Sequence, residues 1–468
     1  MAIFLAVLLP ESMNPLHVRA AAMSFFVVLM WVSEAIPLAA TALLVPCLAI
    51  ILGLSETREA FASFAHPLIF LFLGGFLIAR AMAVSGLDRR VALRILTFPG
   101  IRGRLVPSLV ALLGVAAFFS MWISNSATTA MMLPIAAGVL RAVFRESRKD
   151  QSVALLALAY AASIGGLATP IGSPPNNLAR GLLAERSPEN AISFLEWMLY
   201  SLPLSLVLLG FLLMFLLRKI DSSTLSFDAE ALLREYREMG RMRSSELTTF
   251  MAISIAACIW IVPSVLLSLS NFYPMLHGGA NVLREALPDA VGAILGASVL
   301  FLLPTERGPA TLTWKEASEI DWGALLLFGG GLTLGTLIFQ SGLGSLMGNA
   351  FVMYLEKAPY LLFLVAIVTF SIFFTECTSN TATASLFLPL ILSATLYADL
   401  PSKASQIAIA WACSLAFMLP VATPPNAIVY GTGKIELREM IRFGFVMNLV
   451  SIVAICVYLY LLTSWNLI

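Results

Sequence analysis

The chain has 468 residues, 59% hydrophobic and 12% charged, with a formal net charge of +1 and a mean hydropathy of +0.91. Soluble domains carry about a quarter charged residues, so these figures exclude a water-soluble globular protein and describe a polytopic membrane protein. The near-neutral balance, with no Lys/Arg-rich tail, gives no footing for a nucleic-acid partner.

In chain order, the opening MAIFLAVLLP (1–10) is apolar but too short to span, and it lacks the charged start and cleavage site of a signal peptide. It reads as the remnant or tail of a first helix. Runs of spanning length follow at 18–34, 36–53, 67–86, 194–217, 248–270, 288–303, 323–343 and 443–464. Residues 105–119 and 127–140 are apolar but only about 15 residues each, and at about 1.5 Å per residue neither crosses a core about 30 Å thick. They are expected to turn back.

Basic residues gather on the cytoplasmic side of membrane proteins. Arg89, Arg90, Arg94, Arg102 and Arg104 precede this pair of segments, and Arg141, Arg145, Arg148 and Lys149 follow it. The pair is therefore predicted to form a re-entrant hairpin (105–140) with both flanks cytoplasmic and Ser124 near its tip. A broken helix over 151–186 then rises to the far side, and 194–217 returns to Arg218 and Lys219. The polar stretch 219–247 reads as a cytoplasmic amphipathic linker. Carried onward, the topology places 344–358 outside, so a second hairpin (359–398) enters from the opposite face. A second broken helix (404–432) follows, and the last span leaves the C-terminus outside and the N-terminus inside. The cysteines Cys47, Cys258, Cys377, Cys413 and Cys456 lie in apolar segments without metal-like or paired spacing and read as small hydrophobes.

The two halves repeat one another. LFLGG with SGL (Leu71–Gly75, Ser85–Leu87) recurs as LFGGG with SGL (Leu327–Gly331, Ser341–Leu343), SNSAT recurs as SNTAT from Ser379, and PIGSPPN (Pro170–Asn176) recurs as PVATPPN (Pro420–Asn426). The offset stays between 250 and 256 residues across the three matches. Because the copies enter the bilayer from opposite sides, the expected fold is all-α: an inverted-topology repeat with two re-entrant hairpins and two broken transmembrane helices, as occurs widely among secondary transporters. The expected organisation is 1–66 and 248–322 as scaffold helices, and 67–218 and 323–468 as the two repeats.

Backbone polar groups freed at membrane depth must be buried in protein or line a wet cavity. In GSPPN and ATPPN two successive prolines remove amide donors and disfavour helix before them, so freed carbonyls can take a cation and the half-helix beyond can face an anion. The Ser, Asn and Thr of the tips hold an anion without a buried counter-charge, and their oxygens also suit a hard cation such as sodium. Such residues often merely glue membrane helices together; their recurrence at two tips, each with its own PPN partner, favours a site.

The SNS/SNT pair, the GSPPN/ATPPN pair and the stretch WVSEAIPLAATALL resemble the divalent anion:sodium symporter family, over nearly the whole chain from about residue 18. That resemblance implies a homodimer in which a transport domain moves as an elevator against a scaffold, carrying a dicarboxylate, citrate or sulfate with sodium. It implies a first sodium site at Ser120, Ser124, Asn125 and Gly172, and a second at Thr375, Thr378, Asn380 and Ala422. It implies that the dianion is contacted by Ser124, Asn125, Ser126, Ser379, Asn380 and Thr381 at the tips and by Ser173, Pro174, Thr423 and Pro424 at the breaks. The first tip carries Ser126 where the family commonly has threonine, which keeps the hydroxyl and drops a methyl.

Ionisable residues within the membrane are functional candidates. Glu34 is expected at the cytoplasmic end of its helix in a structural role, and Arg80 within snorkelling reach of the interface. Glu376, three residues before Ser379, either tunes a cation or pairs with a donor. His17, His66 and His277 fall at segment ends, where none can relay protons across the core. An intramembrane serine hydrolase built on Ser124 or Ser379 would need a base within reach, and neither tip has a nearby His or Lys in sequence. A channel would need a continuous polar pore in place of two half-crossing hairpins. A sodium-independent anion exchanger keeps the fold, but the tips carry no Lys or His to replace a cation. The expectation is a sodium-coupled dianion transporter in a prokaryotic inner membrane, without an organic cofactor.

Overall fold

A computed structural model of the chain describes residues 14–144, 147–220, 230–270, 272–344, 346 and 359–468. The apolar opening 1–10, Arg145, residues 221–229 of the linker and most of the 344–358 stretch lie outside the described residues. Among the described residues the protein is helical, with one isolated bridge between Thr305 and Gly308.

The helices α1 (Pro15–Ser33), α2 (Leu38–Ile51) and α3 (Thr57–Ala62) lead into α4 (Pro67–Ser85) and the amphipathic α5 (Leu87–Leu96). A hairpin follows, α6 (Leu105–Ser120) and α7 (Asn125–Phe144), then a broken helix, α8 (Arg148–Gly165) and α9 (Pro174–Arg186), and the long α10 (Phe194–Lys219). The linker holds α11 (Glu230–Glu238). The second half contains α12 (Ser244–Ser270), α13 (His277–Ala286), α14 (Asp289–Leu302), α15 (Trp314–Ala317) and α16 (Trp322–Gln340). It continues with the hairpin α17 (Tyr360–Thr375) and α18 (Asn380–Tyr397), the broken helix α19 (Ser402–Ser414) and α20 (Pro424–Tyr430), and α21 (Leu437–Ser464).

Local chemistry sets these boundaries. Proline opens α1, α4, α9 and α20, where a missing amide costs nothing and φ is already helical. Ser193 and Glu196 close a capping box on α10. Gly86, at φ 78°, ends α4 in the left-handed conformation that glycine adopts freely.

Among the described residues seven helices are long and apolar enough to cross a membrane, or eight if α14 and the helical stretch before it, which meet at a 64° bend, count as one span. The sequence predicts a full span over 36–53, but α2 has only 14 residues, about 21 Å of helix. Pro37 sits at its N-cap, and the chain turns at Leu52 and Gly53, the latter at φ 64°. Its counterpart α14 is also 14 residues long. The second hairpin arms run longer than expected, to 20 and 18 residues, because each helix starts directly at the tip asparagine.

The glycine motifs explain how the short helices pack. A Cβ on Gly74 would lie 2.5 Å from the backbone of Ala293, and one on Gly330 2.7 Å from that of Ala42. Each GG stretch thus lets a long helix, α4 or α16, lie against a short one, α14 or α2, at a distance only glycine permits. Two satellite cores result, one around α4, α12 and α14, the other around α1, α2 and α16. The large central core holds both hairpins and both broken helices.

The repeats interlock inside that core. The outgoing half of the first broken helix, α9, packs on α18 and α19 of the second repeat, and α20 packs on α7 and α8 of the first. Arg180 of α9, buried, ties this centre to the satellite core by donating to Asp289 at 2.7 Å. Arg90 of α5 pairs with Glu246 at 2.8 Å and donates to Gly240 O at 2.8 Å, fastening the linker. Leu206, Phe250 and Val453 point outward from α10, α12 and α21, as lipid-facing surface requires.

Candidate functional site

Each tip is built the same way. In the first, Ser120 Oγ, at the end of α6, donates to Asn125 Oδ1 at 2.6 Å. In the second, Thr375 Oγ1, at the end of α17, donates to Asn380 Oδ1 at 2.8 Å and also lies 3.1 Å from Cys413 O of the broken helix. A hydroxyl five residues before the asparagine therefore braces each turn. Ser120 and Thr375 are fully buried, and both asparagines are half-buried.

The amide atom of Asn125 that faces Ser120 Oγ also lies 3.2 Å from Gly172 O and 3.3 Å from Ala162 O. With the NH2 turned inward it donates to all three; with the oxygen inward, four oxygens converge with one hydroxyl proton between them. The first arrangement satisfies every group in the absence of an ion; the second is one that a small hard cation would draw around itself. Glycine makes it possible: a Cβ on Gly166 would stand 2.4 Å from Asn125 Oδ1, and one on Gly172 2.6 Å from Gly166 O and 2.8 Å from Ser120 O.

The breaks are stitched by the asparagines of the two PPN motifs. Asn176 Nδ2 donates to Gly166 O at 2.9 Å and Thr169 O at 2.8 Å. Asn426 Nδ2 does the same to Ala416 O at 3.1 Å and Leu419 O at 3.0 Å. Both side chains are fully buried, and both keep an Oδ1 without a hydrogen-bond partner. Ser173 Oγ meets Ser414 Oγ at 2.8 Å, joining the break of one repeat to that of the other.

The structure gathers Ser120, Asn125 and Gly172 into one cluster, and Thr375 with Asn380 into another. Thr378 is buried with its hydroxyl unpartnered, and Ala422 is buried beside the break, but no hydrogen bond ties either to Thr375 or Asn380. Ser124 is exposed, and its hydroxyl accepts from Ala127 N, at 3.3 Å, in the first turn of the helix that follows it. Ser126 and Ser379 are half-buried and Thr381 is buried. Ser173 and Thr423 cap the two half-helices, Thr423 accepting from Asn426 N at 3.4 Å. Pro174 is half-buried and Pro424 exposed.

Glu376 resolves in favour of pairing with donors. Its Oε1 accepts from Phe417 N at 2.7 Å, Met418 N at 2.9 Å and Asn448 Nδ2 at 2.7 Å, and its Oε2 from Leu419 N at 3.1 Å. It answers the amides that the second break leaves without helical partners. Arg80, placed within snorkelling reach of the interface, pairs with the exposed Glu319. Glu34 caps its helix at φ 48°. His17 lies in the first turn of α1, His66 caps α4, and His277 opens α13. Sequence reasoning missed Asn176, Asn426, Asn448 and Ser414. The repeated N of PPN was a usable signal for the first two; nothing local marks the others.

A family model described as the sodium:sulfate symporter transmembrane region matches residues 1–468. An uncharacterised transporter of Haemophilus influenzae is 39% identical over 433 residues, covering 92% of this chain and 88% of the relative. The sodium-dependent dicarboxylate transporter SdcS of Staphylococcus saprophyticus is 34% identical over 470 residues, 97% of this chain and 87% of the relative. Among solved structures, the YdaH transporter of Alcanivorax borkumensis aligns at a TM-score of 0.56 and 15% identity, covering 88% of each chain. MtrF of Neisseria gonorrhoeae aligns at 0.59 and 13%, covering 98% of this chain and 96% of the other. These two likenesses speak for the fold. The hydrolase reading lapses, because family and relatives are transporters, and the chain is an integral membrane protein that belongs to the sodium:sulfate symporter family.

Proposed function

We propose that the protein is a secondary transporter that couples sodium entry to uptake of a divalent anion, a C4-dicarboxylate such as succinate before sulfate or citrate. The observation that carries this reading is the cluster of Ser120 Oγ, the Asn125 side-chain amide, Gly172 O and Ala162 O, with its counterpart at Thr375, Asn380 and Cys413 O. Neutral oxygens in two matched clusters suit two sodium ions. The preference for a dicarboxylate is supported by SdcS, a sodium-dependent dicarboxylate transporter that shares 34% of the aligned residues.

Under this reading Ser124, Asn125, Ser126, Ser379, Asn380 and Thr381 hold the dianion by hydroxyl and amide donors, with Ser173, Pro174, Thr423 and Pro424 shaping the floor. Ser124, Thr378 and Ala422 complete the sodium shells, the unpartnered hydroxyl of Thr378 supporting its place there. A dianion moving alone against an inside-negative potential costs about 2.3 kcal/mol per charge per 100 mV. Three accompanying cations reverse that sign. The central core, moving as an elevator against the satellite cores of a homodimer in the inner membrane, would carry the load, with the N-terminus cytoplasmic and the C-terminus outside.

Radiolabelled succinate uptake into proteoliposomes, with and without an inward sodium gradient and challenged by unlabelled sulfate and citrate, tests this. Sodium-dependent uptake, lost in Asn125→Ala and Asn380→Ala while folded protein is recovered, is expected. Robust uptake by either variant overturns the assigned sites, and sulfate as the stronger competitor overturns the substrate class.

A further inference from the structure

Away from the tips, six basic side chains, Arg148, Lys149, Lys219, Lys434, Arg438 and Arg442, line one cavity of about 790 Å³ where the start of α8, the end of α10 and the start of α21 meet. Two acids share it, Glu436 and Glu439, the latter receiving Ser152 Oγ at 2.5 Å. Among the described residues none of the six cations has an ion-pair partner. Arg148 is held by Gly433 O at 3.0 Å, and Lys434 donates to Gln151 at 2.6 Å. Placing basic residues on one side of the membrane accounts for their sign, but not for the convergence of six of them on one cleft lined by two acids.

An apolar groove follows the cavity along the same two helices. The cavity's inner wall is Phe215, Phe443 and Val446. One helical turn further in, Phe211 of α10 and Leu449 of α21 open an apolar groove of about 550 Å³ that runs on past Val453 and Val457 to Leu461. Val453 and Val457 are more than half exposed. From Leu449 to Leu461 the groove covers about 18 Å of helix, close to one leaflet of a core about 30 Å thick.

We propose that the cavity and the neighbouring groove together bind an anionic phospholipid, its phosphate against the basic side chains and one acyl chain along the groove between α10 and α21. A soluble anion would have no use for the groove, and an apolar partner none for six cations set against two acids. Basic pockets between transmembrane helices are fitted to phosphate headgroups for these reasons. The site stands apart from the transport reading and from every residue assigned to it.

The test is titration of the full-length, detergent-purified protein by native mass spectrometry with dioleoyl-phosphatidylglycerol, dioleoyl-phosphatidylcholine and inorganic phosphate. Phosphatidylglycerol adducts in clear excess over phosphatidylcholine are expected. The double variant Arg438→Gln/Arg442→Gln should bind phosphatidylglycerol about thirtyfold more weakly, the worth of two cations near an anionic surface, with phosphatidylcholine unchanged. Val453→Trp, which fills the groove, should lower phosphatidylglycerol binding with every cation in place. Lys149→Gln/Lys219→Gln keeps the test available if the first pair does not fold. Equal binding of the two lipids, binding unchanged in the arginine variant, or displacement of the lipid by inorganic phosphate overturns the proposal.

Discussion

The two breaks, residues 166–173 and 415–423, face one physical problem and answer it with different chemistry. In the first, Thr169 Oγ1 donates to Met121 O and accepts from Gly172 N at 3.2 Å, and Trp197 Nε1 donates to Leu167 O at 3.0 Å. All of these groups are neutral. In the second, the position matching Met121 is Glu376, whose carboxylate gathers three consecutive amides and Asn448. Space differs as well: Gly166 and Gly172 of the first break correspond to Ala416 and Ala422 of the second. The first break is tight and neutral, the second roomier and pinned by a charge, so the two clusters are related in layout without being equivalent in energy.

The largest effect should come from removing that pin. Glu376→Leu leaves the buried amide of Phe417 and the part-buried amides of Met418 and Leu419 with no acceptor, and each charge-assisted bond is among the stronger ones available. A loss of roughly 3–5 kcal/mol is expected, read as a fall in the thermal unfolding temperature in detergent. Thr169→Val, which deletes the neutral brace, should cost only about 1–2 kcal/mol. Equal losses would erase the distinction between the two breaks.

The tightness of the first break sharpens the comparison next. Gly172→Ala installs the residue that stands at 422, but its Cβ would meet Gly166 O at 2.6 Å and Ser120 O at 2.8 Å, and backbone in a close-packed interior yields little. Sodium-dependent uptake should be lost, with about 1–3 kcal/mol of destabilisation. Ala422→Gly should leave uptake within about twofold of the parent and cost about 0.4–1 kcal/mol through the freer unfolded chain. Uptake by Gly172→Ala at the parent rate would show that the first cluster does not depend on this close approach.

How much of this was legible beforehand follows from where the information resides. The repeat, the hairpins and the breaks are local: SNS/SNT and PPN mark them because proline and short polar side chains act on neighbouring backbone. The close packing of Gly74 and Gly330 was visible as motif but not as contact, since Ala293 and Ala42 lie far away in sequence. Glu376 stayed ambiguous for the same reason. Its partners at 417–419 and 448 come from two other elements, and nothing within a window around 376 encodes them. The shortness of α2 escaped because apolarity continues past Pro37 and Leu52, where the helix does not.

The smallest expected effect separates a glutamate in the core from one in water. Glu306, exposed after α14, accepts from the hydroxyls of Ser244 and Ser245 and from Ser245 N at 3.0 Å, and the two hydroxyls chiefly hold its carboxyl down to about 2. A depressed carboxyl contributes stability that is complete above the unfolded value of 4.5 and fades as pH falls toward 2. Solvent screens this exposed group, so Glu306→Gln should leave the unfolding temperature at pH 7 nearly unchanged and flatten its decline between pH 4.5 and 2. The same change at Glu376 should depress that temperature at pH 7, because glutamine keeps one acceptor for Phe417 and Met418 but brings an NH2 against Leu419 N, where a second acceptor is needed. If both variants behave alike, the number of donors around a glutamate matters less than the water around it, and the second break owes its order to packing.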